Sequence, residues 1–234
     1  MITASFGLSE KGAVREENQD SYLLDAENGI FAVADGLGGL PNGSRASRMA
    51  LDVLHHKLME ASSCPLGTTI GEVNEETRTV GYQLDGNGFG TTLTMMKVLP
   101  GSDRMAIAHI GDSAAYLVRN GVVQVLTEEH TLAARMVADE WAHACEAIPA
   151  SAHHTLTQCI GQDLYIDPQI TEISLQESDR IFLLTDGVTK PMSESQLYEA
   201  LLLDDSIERI CQALTFRIEI AGSPDNYTIV ALQL

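Results

Sequence analysis

Four aspartates sit where an apolar, strand-like run meets a loop: Asp35 in FAVADG, Asp112 in AIAHIGDS, Asp186 in IFLLTDG and Asp225 in SPDNYTIVAL, where the acid precedes the strand. One acid at a strand end is commonly a turn-former, because Asp accepts local backbone hydrogen bonds and tolerates unusual dihedrals. Four such junctions in one chain, three of them with glycine beside the acid, point to a shared task. Hard divalent cations such as Mg²⁺ and Mn²⁺ take oxygen ligands and keep several waters, so their sites need a few carboxylates at the ends of rigid strands. Glycine next to such an acid leaves room for the ion and lets a backbone carbonyl serve as a ligand, which groups Gly36 with Asp35.

A second constellation lies upstream in GAVREENQDSYLLD, where Arg15, Asn18, Gln19 and Asp20 fall just before a strand. A guanidinium is a planar fork matched to phosphate oxygens, so an arginine close to a metal site suggests a phosphorylated substrate. The simpler alternative is a surface ion pair with Glu16 or Glu17.

These residues need a scaffold. Residues 30–35, 91–99, 104–110, 113–118, 121–126, 180–185 and 227–233 are short, apolar and bounded by turn residues, and are expected as strands. Arg119-Asn120-Gly121 is expected as a hairpin turn. After Ser44, a plausible N-cap, Ala46, Ala50, Val53, Leu54, Leu58 and Ala61 share one helical face; Ile70, Val73, Thr77, Val80 and Leu84 mark a second helix. Leu197, Ala200 and Leu201, then Ile207, Ile210, Cys211 and Leu214, mark another adjacent pair. Helix pairs separated by hairpin-linked strands exclude alternating β-α-β units and give an α+β class, with two antiparallel sheets inside and helices outside.

Composition sets the outer bounds. The 234 residues, 44% of them hydrophobic, suit one domain with a substantial core, spanning 1–234. No apolar run approaches the ~18 residues of a membrane span, and Met1 leads into strand-like ITASFGL, not a basic and apolar leader. A soluble, cytoplasmic and monomeric protein is expected. Fourteen basic against 33 acidic residues leave a net charge of −19, which repels nucleic acid and favours bound cations. Cys64, Cys145, Cys159 and Cys211 show no C-x-x-C pairing and are expected as buried thiols. The histidine pairs 55–56 and 153–154 lack the i, i+4 spacing of a metal pair, so surface or packing roles are expected. Asp186 is followed by glycine and valine, which excludes the D-x-D arrangement of a haloacid-dehalogenase-type phosphatase.

Taken in order, GAVREENQDSYLLD, FAVADGLGG, GTTLTMM, AHIGDSAAYLVRNG, LTEEHT, LTQCIG, IFLLTDGVTKPMS and SPDNYTIVALQL resemble the successive motifs of the metal-dependent serine/threonine protein phosphatases, the PPM or type-2C family, in its compact bacterial form. The resemblance implies a four-layer αββα sandwich and hydrolysis of phosphoserine and phosphothreonine by a metal-activated water. Residue by residue, it implies that Asp35 bridges two Mn²⁺ or Mg²⁺ ions, Gly36 offers its carbonyl to one, and Asp186 and Asp225 complete the other. Asp112 matches an acid that helps to hold a third, weaker ion. Arg15 matches a phosphate-binding arginine, and Asp20 an acid acting through coordinated water. Residues 130–154, with Trp141, match a flap beside the site. The implied partners are phosphoproteins and an opposing serine/threonine kinase.

The chain also departs from the pattern. Leu37 stands where many eukaryotic members have histidine, Gln19 replaces a frequent glutamate, Ala114 and Gln158 stand in for arginines, and Lys190 takes the place of an acid. These changes spare every ligand named above, but keep open a second reading, a pseudophosphatase serving as a phosphoprotein-binding scaffold. A third, the regulatory branch acting on anti-sigma-factor antagonists, differs only in substrate.

Overall fold

The computed structural model describes residues 2–38, 42–60, 64–86, 88–139 and 148–234; Ala61, Cys145 and Trp141 of the expected flap lie outside them. Among the described residues, ten strands form two five-stranded sheets. The first has the order β1 (Ala4–Glu10), β10 (Tyr227–Gln233), β9 (Arg180–Leu184), β6 (Ala114–Arg119) and β7 (Val122–Val125). The second runs β2 (Asp20–Asp25), β3 (Ile30–Asp35), β4 (Leu93–Val98), β5 (Arg104–Ile110) and β8 (Gln169–Ser174). Every pairing is antiparallel.

Alternation along each strand builds three apolar layers. Phe31, Val33, Met96 and Ile107 of the second sheet face Leu117, Ile181, Leu183 and Val230 of the first, filling the space between them. The intervening residues of the second sheet, Ile30, Ala32 and Ala34, turn outward onto Leu54, Leu58, Ile70 and Val73 of α1 (Gly43–Glu60) and α2 (Leu66–Asp85). On the other side, Phe182, Leu184, Ile229 and Ala231 pack on Val188 of α4 (Asp186–Thr189), Leu197 of α5 (Glu194–Leu201), and Ile210 and Leu214 of α6 (Ile207–Ile220). This is the α+β, αββα sandwich expected from the sequence. Thr131 caps the short α3 (Leu132–Ala138) by accepting from Ala134 N, and Ser193 and Ser206 cap α5 and α6 by accepting from Gln196 N and Arg209 N. Positive φ at Asn120 (53°) and Gly121 (73°) gives the β6–β7 hairpin the twist its strands need. Among the described residues no helix is long and apolar enough to cross a membrane.

Four local expectations are corrected. Ser44 is not the N-cap of α1: the chain enters the helix through Asn42 at φ 67°, whose carbonyl accepts from Arg45 N and Ala46 N, while Ser44 Oγ donates to Glu17 Oε1 at 2.6 Å. Leu84 is exposed, as are Tyr82 and Gln83 beside it in the last turn of α2. Cys64 is only partly buried, whereas Cys159 and Cys211 are buried as expected. β8 was not foreseen: it is an edge strand that exposes Ile170, Glu172 and Ser174 and half-buries Gln169, Thr171 and Ile173, so polar residues on both faces mask its period.

His109 lies within the second sheet, 1% exposed, with Nδ1 2.8 Å from Thr94 Oγ1 and Nε2 without a partner. Burial, then the neighbouring His130, lower its pKa from 6.5 to about 3. Between those values the unfolded chain binds a proton that the folded chain refuses, so folding stability falls as pH drops from 6.5 toward 3. Thermal unfolding followed from pH 7 to 4 should show this loss, and His109→Leu should remove about 2–4 kcal/mol of it.

Candidate metal centre

The candidate residues meet at one end of the sandwich, where loops pass between the two sheets. Asp35 ends β3; Asp112 lies in the β5–β6 connection that crosses from second sheet to first; Asp186 opens α4 directly after β9; Asp225 precedes β10. Arg15 lies in the β1–β2 connection. Together with Gly36, Gln19, Leu37 and Lys190 they line an open cleft of about 190 Å³. Asp20 stands behind it, directly opposite Asp35 in the β2–β3 register.

Backbone contacts hold these acids in place. Asp35 N donates to Thr92 Oγ1 at 3.0 Å, and Asp35 O accepts from Thr92 N at 2.8 Å and Thr91 Oγ1 at 2.9 Å. Gly36 N donates to Gln19 O, and a Cβ at Gly36 would lie 2.3 Å from Gly43 O, so only glycine fits between β2 and the start of α1. A Cβ at Gly187 would lie 1.8 Å from Asn226 O. The missing side chain therefore lets the start of α4 close onto the start of β10, which is what brings Asp186 toward Asp225.

The electrostatics are those of crowded like charges. Burial, then Asp20, Asp186 and Asp112, raise the Asp35 carboxyl well above the ordinary carboxylate range. Burial raises Asp20 to about 7 against the opposing pull of two hydroxyls, Thr228 Oγ1 at 2.7 Å and Thr185 Oγ1 at 2.9 Å, both donating to Oδ2. Its other oxygen, Oδ1, is buried with no hydrogen-bond partner. Asp112, 7% exposed, is raised by burial and by Asp186, with Lys190 pulling the other way.

Two side-chain cations answer part of this charge. Arg15 grips Asp225 with both arms, Nε to Oδ1 and Nη2 to Oδ2 at 2.7 Å each. Lys190 Nζ lies 2.5 Å from Asp186 Oδ2 and 3.0 Å from Asp112 Oδ2. With these contacts in place, no three acidic, histidine or cysteine side chains among the described residues stand ready-gathered as a metal cage. The donor set nevertheless fits divalent ions: hard oxygens, more acids than cations, and a buried carboxylate oxygen lacking any donor.

A family model described as Protein phosphatase 2C matches residues 11–218. The chain belongs to that family. The Mycobacterium tuberculosis serine/threonine protein phosphatase PstP is 29% identical over 230 residues, covering 95% of this chain and 43% of its own length, so the chain spans less than half of that relative. Among solved structures, the PPM Ser-Thr phosphatase MsPP from Mycobacterium smegmatis, in complex with cacodylate, is 27% identical with a TM-score of 0.84, covering 100% of this chain and 99% of that one. The catalytic domain of PstP in complex with two manganese ions is 26% identical with a TM-score of 0.82, covering 98% and 97%.

Several residues that position this phosphatase 2C site carry little or no signal in the sequence. Asn226 Oδ1 accepts from Gln19 N at 2.9 Å, while Nδ2 donates to Lys11 O at 2.8 Å and Glu17 O at 2.9 Å, tying the Arg15 loop to β10. Its signal was its place directly after Asp225. Thr185 and Thr228 gave none, since threonine in a strand is unremarkable. His154, expected at the surface or in packing, places Nδ1 3.3 Å from Lys190 Nζ at the cleft wall. Gln158, which replaces an arginine, makes a two-bond ring with the backbone of Asp167 and closes its own loop. Asn226→Ala would strand three backbone groups, and thermal unfolding should show a loss of about 2 kcal/mol.

Proposed function

We propose that this chain hydrolyses phosphoserine and phosphothreonine in proteins with the help of two divalent cations, and that residues 1–234 form one catalytic unit. The observation that carries the reading is the convergence of Asp35, Asp186, Asp225 and Gly36 with Arg15 on one cleft. Asp35 would hold both ions, the Gly36 carbonyl one of them, and Asp186 with Asp225 the other. When bound, Mn²⁺ or Mg²⁺ supplies water activation at neutral pH and charge neutralisation at phosphorus. The manganese-bound PstP neighbour supports the pair of ions; a third, weaker one at Asp112 is implied by the resemblance alone, and Lys190 Nζ stands 3.0 Å from that acid.

Arg15 has a fork already engaged with one oxyanion, the Asp225 carboxylate. Exchanging that carboxylate for phosphoryl oxygens orients the substrate and leaves Asp225 free as a ligand. Asp20 keeps one oxygen fixed by Thr185 and Thr228, which leaves Oδ1 to accept from coordinated water. Leu37 is close-packed near Gly90, where a Cβ would meet it at 2.8 Å, and offers no proton to the leaving oxygen. The substrates are phosphoproteins in a cytoplasmic setting, with a serine/threonine kinase as counterpart. The retained acids and arginine leave the pseudophosphatase reading without support.

The test is hydrolysis of p-nitrophenyl phosphate and a phosphothreonine peptide with Mn²⁺, Mg²⁺ or EDTA. Turnover should need the metal, and Asp35→Asn and Asp186→Asn should each lose about 100-fold or more while still unfolding cooperatively. Full activity in both variants would sink the proposal.

A further inference from the structure

Lys190 stands in the cleft at a position where an acid would add to the negative charge. Its location follows from covalent geometry: Asp186 and Lys190 are four residues apart on one helical turn, with Lys190 N donating to Asp186 O at 2.8 Å, so their side chains share a face. From there Nζ reaches Asp112, which comes from the β5–β6 connection, and the two carboxylates are bridged by one ammonium. A lysine ammonium has three N–H donors and no acceptor. Asp186 Oδ2, Asp112 Oδ2 and His154 Nδ1 provide three acceptors at 2.5, 3.0 and 3.3 Å, so the group is fully satisfied with its side chain 31% exposed. For this, His154 must carry its proton on Nε2.

We propose that the Lys190 ammonium is a built-in cation at the Asp112–Asp186 position, so that this chain binds two divalent ions and has no place for a third. The proposal rests on the two-ion reading above and narrows it. A divalent ion shared by Asp112 and Asp186 would compete for the same two oxygens and would face a fixed positive charge at hydrogen-bond distance from both. Asp112 is then a partner of lysine, not a metal ligand, and the arrangement keeps its buried charge compensated at any metal concentration.

Counting Mn²⁺ ions tests this, by equilibrium dialysis of the full chain with free Mn²⁺ read by electron paramagnetic resonance. The chain itself should bind two ions, and Lys190→Arg, which keeps the charge, should also bind two. Lys190→Asp should bind three, as should Lys190→Met, which keeps the length without the charge and carries the test if the aspartate variant does not fold. Three ions in the unaltered chain, or two in a folded Lys190→Met, would overturn the proposal. If the unaltered chain binds none, the two-ion reading itself fails, an outcome distinct from either of these.

Discussion

Repulsion among carboxylates is the constraint on which the cleft end of this molecule turns. Asp20 and Asp35 are cross-strand neighbours in the β2–β3 ladder, a placement that costs stability for like charges, and Asp112 and Asp186 add to it. Nothing in the apolar layers requires this crowding. It is tolerated because the backbone around each acid is over-determined: two hydrogen bonds on the Asp35 carbonyl, two threonine hydroxyls on Asp20, and close glycine contacts at Gly36 and Gly187. A rigid frame that keeps like charges together is a frame prepared for cations.

The sandwich was legible in the sequence wherever one face of an element is buried. The continuous apolar runs of FAVAD and IFLLT, buried on both faces, and the helical stripes of α1, α5 and α6 translate directly into core layers. It was illegible where burial is weak. β8 lies at a sheet edge, Tyr82, Gln83 and Leu84 at the end of α2 are exposed, and α4 is too short to show any period. The acids were legible because strand-end aspartates beside glycine recur. Their supports were not: Asn226, Thr185 and Thr228 act through backbone groups and through partners 43 to 215 residues away, and no local pattern encodes that distance.

The replacements set apart in the sequence divide once their surroundings are known. Gln158 makes a local loop closure of its own, Leu37 packs near a glycine, and Ala114 simply opens β6. Gln19 leaves the cleft one acid short of the pattern, and Lys190 goes further by placing a cation there, from a helical turn whose first residue is one of the acids. A family pattern therefore predicts the frame of the site better than its charge balance, because the frame depends on backbone fit and the balance on individual side chains.

Asp20 has a consequence of another kind. It belongs to the second sheet, while Thr185 and Thr228, whose hydroxyls both reach its Oδ2, belong to the first. One buried oxygen thus pins the sheets against sliding, at the very end where Asp35 on one side must meet Asp186 and Asp225 on the other. Shear between the layers would break both of these hydrogen bonds and part Asp35 from Asp186 and Asp225.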